Sequence, residues 1–431
     1  MFFPFGHPPA RTLACTLIAI SLAACHRAPP TASGQMPQRG YLWQRDWTPA
    51  VADAASEADR RMDGLVLLGA EILWDAGGKP RVIAADVPWA AVKGLRKPCA
   101  VGLRVAPFTG KISGDDATAR AIVAEAKSLL ADAAAGGVKI DEFELDFDCA
   151  QKRLADYRAW VSVVKQAVKP ARLVITTLPA WLDEPEFRAL VGDADGYVLQ
   201  VHSVPTARET GRTSLCDPVL ARKWVAKAAQ LGLPFTVALP TYRCLAGYDA
   251  SSGKLLGVMM DSVQPAWPSG THVLDFATDA DGMAALVREW TASRPAALRG
   301  IIWYRVPVAS DALNWRWPTL AAVMAGRSPA HKLEVKREGD NPVDLSIENN
   351  GEADERVACD VVATWSGPAP LASDALGGWS VRVEPGRAVF SPEPGMYPAL
   401  PPGAHFGIGW LRYENAPDLQ FQVVEHSADP R

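Results

Sequence analysis

Residues 137–149 read Gly137-Val138-Lys139-Ile140-Asp141-Glu142-Phe143-Glu144-Leu145-Asp146-Phe147-Asp148-Cys149. Side chains alternate across a strand, so Phe143, Leu145 and Phe147 share one face while Glu144, Asp146 and Asp148 share the other. That combination fits a barrel strand whose apolar side packs on helices and whose acidic side faces the interior. Outward from it, similar short runs recur at Tyr41–Trp47, Leu65–Gly69, Ala100–Val105, Leu173–Leu178, Tyr197–His202, Phe235–Leu239 and Gly300–Val306. Helical patterns lie between, at Asp116–Ala135, Leu154–Val168, Pro218–Leu231 and Gly282–Ser293. Strand–helix alternation implies parallel pairing through crossover helices. Eight such strands over residues 41–327 predict an α/β fold of the (β/α)8 TIM-like barrel type. An open doubly wound sheet usually carries a glycine-rich phosphate turn, and the sequence has none.

Two insertions follow strand carboxyl ends, the catalytic face of such a barrel. Glu71–Ile83, with Asp75-Ala76-Gly77-Gly78 at its centre, predicts a hairpin after the second strand. Pro240–Ala280 is a long segment after the seventh, and long loops in compact domains are often functional. Beyond Gly326-Arg327-Ser328-Pro329 the period becomes two. Val343, Leu345 and Ile347 alternate with Asp344, Ser346 and Glu348, and Asn349-Asn350-Gly351 makes a turn. Further runs at Arg356–Trp365, Gly378–Val383, Ala388–Ser391, His405–Tyr413 and Leu419–Val424 predict a small all-β, Ig-like sandwich over residues 331–431.

The amino-terminal region carries Arg11 and then an apolar run from Thr12 to Ala24. A membrane span needs ~20 residues, so the run reads as the core of a signal peptide over residues 1–24. It ends in Leu22-Ala23-Ala24-Cys25, which resembles the lipobox of bacterial lipoproteins. The resemblance implies cleavage before Cys25 and lipidation of that residue; an ordinary signal peptide followed by a chance cysteine is the alternative. His26 stands where an Asp marks retention at the inner membrane in many such proteins, so the expected location is the outer membrane, facing the periplasm. Residues 25–40 then form the lipidated Cys and a flexible tether rich in Pro, Ser, Thr and Gly.

Hydrophobic residues at 48% and charged residues at 21% fit an ordinary globular chain. A net charge of −4 leaves no basic surplus for nucleic acid. The 15 Trp residues outnumber both Phe and Tyr, and flat rings with one polar edge suit the gripping of sugars. The seven His residues show no paired ligand spacing, so neither a metal nor any other cofactor is expected. Apart from Cys15 and Cys25 there are Cys99, Cys149, Cys216, Cys244 and Cys359, an odd number, with no C-x-x-C. Export permits disulfides, and Cys216 with Cys244, in successive loops, is the expected pair.

Three carboxylates on one inward stripe cannot all ionise cheaply, because like charges raise at least one pKa. A proton held at neutral pH is what a general acid needs. Asp148, nearest the strand's carboxyl end, is therefore the expected acid and Asp146 its partner. Glu144 lies deepest. Arg104, inward on the third strand, offers the competing structural account by neutralising the stripe.

The stripe resembles the fourth-strand signature of family 18 chitinases, D-x-x-D-x-D-x-E, with Asp141, Glu144, Asp146 and Asp148 in its acidic places. Asp148 stands where that family has Glu, and Glu144 where it has Asp. The resemblance implies that the last acid protonates the glycosidic oxygen while the middle Asp orients the substrate's acetamido group. Trp303, in Gly300-Ile301-Ile302-Trp303-Tyr304-Arg305, resembles the eighth-strand Trp that floors the chitinase sugar subsite. Gln200 and His202 fall near that family's Met-x-Tyr-Asp, without its Tyr and Asp.

The wider pattern resembles a bacterial lipoprotein family known as a domain of unknown function (number 3142). The likeness lies in Tyr41-Leu42-Trp43, Leu145–Cys149, Thr176–Leu182 and Leu199–His202, and it implies no activity. Glu144, Trp303, Gln200, His202, Tyr242, Arg305 and Trp43 are the candidate substrate contacts. The expected function is glycoside-hydrolase-like action on an extracytoplasmic polysaccharide or oligosaccharide by an outer-membrane-anchored protein. The alternative is a non-catalytic glycan-binding or assembly lipoprotein on a hydrolase-like barrel.

Overall fold

The structure is a computed structural model that describes residues 30–204, 214–260, 267–393, 398–415 and 417–426. The expected signal peptide and Cys25 lie outside these residues. Eight parallel strands close a barrel: β1 Gln38–Leu42, β2 Gly64–Trp74, β3 Cys99–Val105, β4 Glu142–Phe147, β5 Arg172–Thr177, β6 Gly196–Gln200, β7 Phe235–Pro240 and β8 Leu298–Tyr304. β8 pairs with β1 and β1 with β2, so the sheet has no free edge between its first and last strands. The (β/α)8 reading is borne out.

Helices follow the strands in turn: α1 Pro49–Arg61, α2 Trp89–Val92, α3 Ala117–Ala135, α4 Leu154–Ala167, α5 Phe187–Asp193, α6 Pro218–Ala229, α7 Ala280–Ala292 and α8 Trp317–Met324. The strands are nearly continuous apolar runs because both of their faces are covered. One parity, including Leu65, Leu67, Val101, Leu103, Phe143, Leu145 and Phe147, packs outward in the large core shared with the helices. The other parity gives a smaller interior cluster of Tyr41, Val66, Ala100, Val174, Val198, Ala238 and Ile302.

The expected hairpin forms. The end of β2 pairs antiparallel with Pro80–Ala84, and Asp75 Oδ1 accepts from the amides of Gly77 and Lys79, both at 2.9 Å. Pro240–Ala280 builds a three-stranded antiparallel sheet from Cys244–Asp249, Leu255–Met259 and Thr271–Phe276. Trp267 lies across this sheet so closely that a Cβ on Gly247 would sit 2.5 Å from its ring, which is why that position has no side chain.

Two expectations are corrected. The tether does not extend through residue 40. Thr31–Ala32 pair with Arg294–Pro295, the Gly34 amide donates to Thr291 O at 2.8 Å, and β1 already begins at Gln38. Missing periodicity signals only the absence of an amphipathic element, and an extended segment can still dock through its backbone. Cys216 and Cys244 form no disulfide. Both are buried, in different apolar clusters, Cys216 with the barrel core and Cys244 with the inserted sheet. Closeness in sequence does not supply the Cβ geometry that a disulfide requires.

The carboxyl-terminal strands form two four-stranded antiparallel sheets. One has the order β9 Leu333–Glu338, β10 Val343–Asn349, β15 His405–Arg412, β12 Ala372–Ala375. The other is β13 Trp379–Glu384, β14 Arg387–Pro392, β11 Cys359–Trp365, β16 Leu419–Glu425. Val343, Leu345 and Ile347 share one core with Val361, Ala363 and Phe390 of the facing sheet, the arrangement of a β-sandwich. Arg327 and Thr319 on the barrel side both bond to Glu352 on the sandwich side.

Asp116 holds three elements together. Its carboxylate accepts from Ala119 N (2.7 Å) as the α3 N-cap, from Ser113 N (2.8 Å), and from Trp160 Nε1 of α4 (2.8 Å). An Asp116→Ala variant is expected to lose about 2–3 kcal/mol, a lost cap plus a buried indole N–H left unpaired. Urea unfolding followed by circular dichroism measures that loss.

Candidate functional site

A cleft of about 850 Å³ opens at the carboxyl ends of the barrel strands. Its floor is made by inward side chains of neighbouring strands. Glu144 and Asp146 project from β4 and Asp148 follows its last residue; Tyr41 comes from β1, Arg104 from β3 and Thr176 from β5. Arg104 is in register with Asp146 across β3 and β4. Its Nη1 binds Asp146 Oδ2, and its Nη2 reaches Asp148 Oδ2 at 3.1 Å. The other oxygen of Asp146 accepts from Thr176 Oγ1 at 2.6 Å. Both acids are therefore held, but unequally: the Asp146 side chain is 6% exposed and that of Asp148 33%. Burial raises the Asp148 pKa first and the neighbouring Asp146 charge raises it further, against the pull of Arg104.

Glu144 lies beneath them, fully buried. Tyr41 Oη donates to its Oε1, while its Oε2 has no partner among the described residues. Burial pushes its pKa up to about 8, opposed by the Tyr41 hydrogen bond, so the carboxyl holds its proton at neutral pH. Trp43 stands two residues beyond Tyr41, on the same face of the chain. Its ring meets Tyr41 edge-on at 5.1 Å and Tyr304 at 5.9 Å, which makes an aromatic wall. A Cβ on Gly102 would come within 3.1 Å of the Trp43 ring, so the glycine on β3 makes room for the indole.

Gln200, His202 and Tyr242 also line the cleft. His202 stacks on Tyr304 with ring centroids 5.7 Å apart, and Gln200 Nε2 donates to the His202 carbonyl at 3.3 Å. Burial drops the His202 pKa to about 4, so the ring is neutral at pH 7 and offers hydrogen bonds rather than charge. Arg305 lines the cleft, yet Asp311 Oδ2 accepts from its Nε (2.8 Å) and Nη2 (2.6 Å). Its guanidinium also lies 5.8 Å over the Tyr242 ring. Arg305 thus braces the wall through a neutralised charge. Among the described residues no group of three or more His, Cys, Asp or Glu is arranged to hold a metal ion.

The structure brings together Glu144, Asp146, Asp148, Trp43, Gln200, His202, Tyr242 and Arg305 in one cleft. It does not bring Trp303 there. Trp303 is fully buried in the outer core beside Trp315, with its Nε1 donating to Gln38 Oε1 at 2.9 Å. The inward ring on β8 is Tyr304, one residue later, because Ile302 and Tyr304 share the interior parity. A shift of one residue moves a side chain to the other face of a strand, and identity of residue type cannot reveal it. Asp141 is also outside the cleft, exposed and paired with Lys139 at 2.6 Å. Tyr41, Thr176 and Tyr304 are site residues that sequence reasoning missed. Spacing by two from Trp43 and Ile302 was the available signal for Tyr41 and Tyr304.

Residues 101–309 match the family described as Domain of unknown function (DUF3142). No curated protein matches the chain. Among solved structures, the spore cortex-lytic enzyme SleL of Bacillus megaterium QM B1551 is 13% identical, with a TM-score of 0.45 over 69% of this chain and 75% of that one. The family 18 chitinase ChiB from the chitin utilization locus of Flavobacterium johnsoniae is 11% identical, with a TM-score of 0.44 over 68% of this chain and 94% of its own. Chitinase ChiA74 from Bacillus thuringiensis is 11% identical, with a TM-score of 0.43 over 90% of this chain and 100% of its own.

The geometry of this cleft has two measurable consequences. Glu144 binds a proton in the folded chain that it has lost in the unfolded chain between its ordinary pKa and about 8. Its contribution to stability is therefore full at acidic pH and lost as pH rises through about 8. Thermal melts from pH 5 to 9 are expected to show this decline in the wild type, and Glu144→Gln to flatten it. Trp303→Ala is expected to cost about 3–5 kcal/mol in denaturant titrations, as a buried core ring does, while leaving ligand affinity of the folded fraction unchanged.

Proposed function

We propose that this protein acts on glycans as a glycoside-hydrolase-like enzyme, with Asp148 as proton donor and Asp146 as its charged partner. The observation that carries the reading is the unequal pair of carboxylates on Arg104, set in a cleft with an aromatic wall. Asp148 is reachable and its pKa is raised, as suits a donor of a proton to a glycosidic oxygen. That proton would pass to the leaving oxygen as its bond to the anomeric carbon breaks, and a water would then add to that carbon and return a proton to the ionised Asp148. Asp146, buried and fixed by Arg104 and Thr176, would face the positive charge that develops on the sugar. Trp43 and Tyr304 would cover a sugar ring.

The proposal also places the chain outside the cytoplasm, with its polysaccharide substrate, held at the outer membrane through lipid on Cys25. No helix among the described residues is long and apolar enough to cross a membrane.

A second reading, binding without turnover, has one observation in its favour: Arg104 bonds Asp148 directly and so favours its ionised form. One experiment separates the two. The full-length protein is incubated with chitin, peptidoglycan and exopolysaccharide oligomers, and products are followed by mass spectrometry. Cleavage that falls by about 10²–10⁴ in Asp148→Asn supports the hydrolase. Saturable binding with no product supports the second reading. Full cleavage by the Asn variant would sink the assignment of Asp148.

A further inference from the structure

The chain enters the barrel at its base, the end opposite the cleft. Thr31–Ala32 pair with Arg294–Pro295, just before β8, and the Ala296 amide donates to Pro30 O at 2.7 Å. Arg294 Nη1 donates to Gly34 O at 2.7 Å, and Met36 is buried in the large core. The stretch from Pro30 is thus fixed to the base before β1 begins. Pro30 stands five residues after Cys25, a length that an extended chain spans in at most about 18 Å. β8 alone runs about 20 Å from the base to the cleft. A lipid on Cys25 therefore holds the base, and not the cleft, against a bilayer.

The base is also the basic end of a chain whose net charge is −4. At the amino ends of the strands and in the turns that lead into them, Lys93, Lys97, Lys169 and Arg299 have no ion pair among the described residues. Lys93, Lys169 and Arg299 are exposed. Of the acids in the same stretches, Asp141, Glu142, Asp193 and Asp195 are all in ion pairs. Asp63 is not, and it accepts from the Gln38 amide at 2.8 Å. Unspent cations at the end where the tether emerges fit a surface of lipid phosphates, whose negative potential attracts Lys and Arg within a Debye length.

We infer that the base of the barrel is a docking face for a bilayer containing anionic phospholipid, with the cleft turned away from the membrane. The inference rests on the lipid proposed above for Cys25 and is independent of what the cleft binds. The tether and the charges act together: the first limits the distance to the surface, and the second sets which face meets it.

The test uses the full-length lipidated protein in detergent, on vesicles of phosphatidylcholine with phosphatidylglycerol, and on vesicles of phosphatidylcholine alone. A membrane-impermeant amine reagent labels exposed lysines, and mass spectrometry reads each one against Lys254 in the inserted sheet at the cleft end. On the anionic vesicles Lys93 and Lys169 are expected to be labelled about fivefold less than in detergent, with weaker protection on the neutral vesicles. Lys169→Glu combined with Arg299→Glu, exposed changes whose folding is checked by melting temperature, is expected to reduce the protection of Lys93. The same spectra show whether Cys25 carries lipid. With Cys25 lipidated, labelling unchanged at the base, or protection equal on the two kinds of vesicle, overturns this inference and leaves the anchor standing. An unmodified Cys25 overturns the anchor and this inference together.

Discussion

Two carboxylates that share one face of β4 are held by one guanidinium from β3, and the rest of the cleft is arranged around that contact. Unpaired, Asp146 would be a buried charge of high cost, and its neighbour two residues on would add to the repulsion. Arg104 resolves this without removing the asymmetry. It lies deeper on the Asp146 side, where Thr176 completes the shell, and touches Asp148 at the rim where solvent still reaches. The pair is therefore differentiated by burial, the arrangement that separates acid and base roles among like residues.

The barrel supplies this contact through register. Parallel pairing sets Arg104 opposite Asp146, and the closed sheet brings Tyr41 of β1 over Glu144 of β4, strands that are not neighbours. A protonated Glu144 below the ion pair places a neutral layer between the charged top of the interior and the Arg39–Glu142 pair at 2.7 Å on its lower side. The interior is thus graded from ion pair to neutral acid to ion pair. Insertions at the same barrel face complete the cleft: the β2 hairpin contributes Glu71, and the sheet after β7 contributes Met260 and carries the apolar cluster behind Tyr242.

Architecture was legible in the chain because it depends on periodicity. Alternation in Ile140–Cys149 separates the aromatic outer face from the acidic inner face, and the structure keeps that separation in Phe143, Phe147, Glu144 and Asp146. The same logic finds the hairpin at Asp75 and the alternating strand at Val343–Ile347. It failed at Trp303, where residue type was read without parity, and at residues 31–40, where backbone pairing needs no side-chain pattern.

What the sequence determined by itself is therefore the order of strands and helices, the acidic stripe, and the sandwich that follows. These are local properties, set by side-chain alternation and turn chemistry along a few residues. Only the tertiary structure decided which acid is reachable, which protonated, and which aromatic ring faces the cleft. Those properties come from partners distant in the chain: Tyr41 on Glu144, Arg104 and Thr176 on Asp146, and Tyr304 rather than Trp303 beside Trp43. Burial and hydrogen bonding set a carboxyl's proton affinity, and neither exists until closure of the sheet brings those strands together.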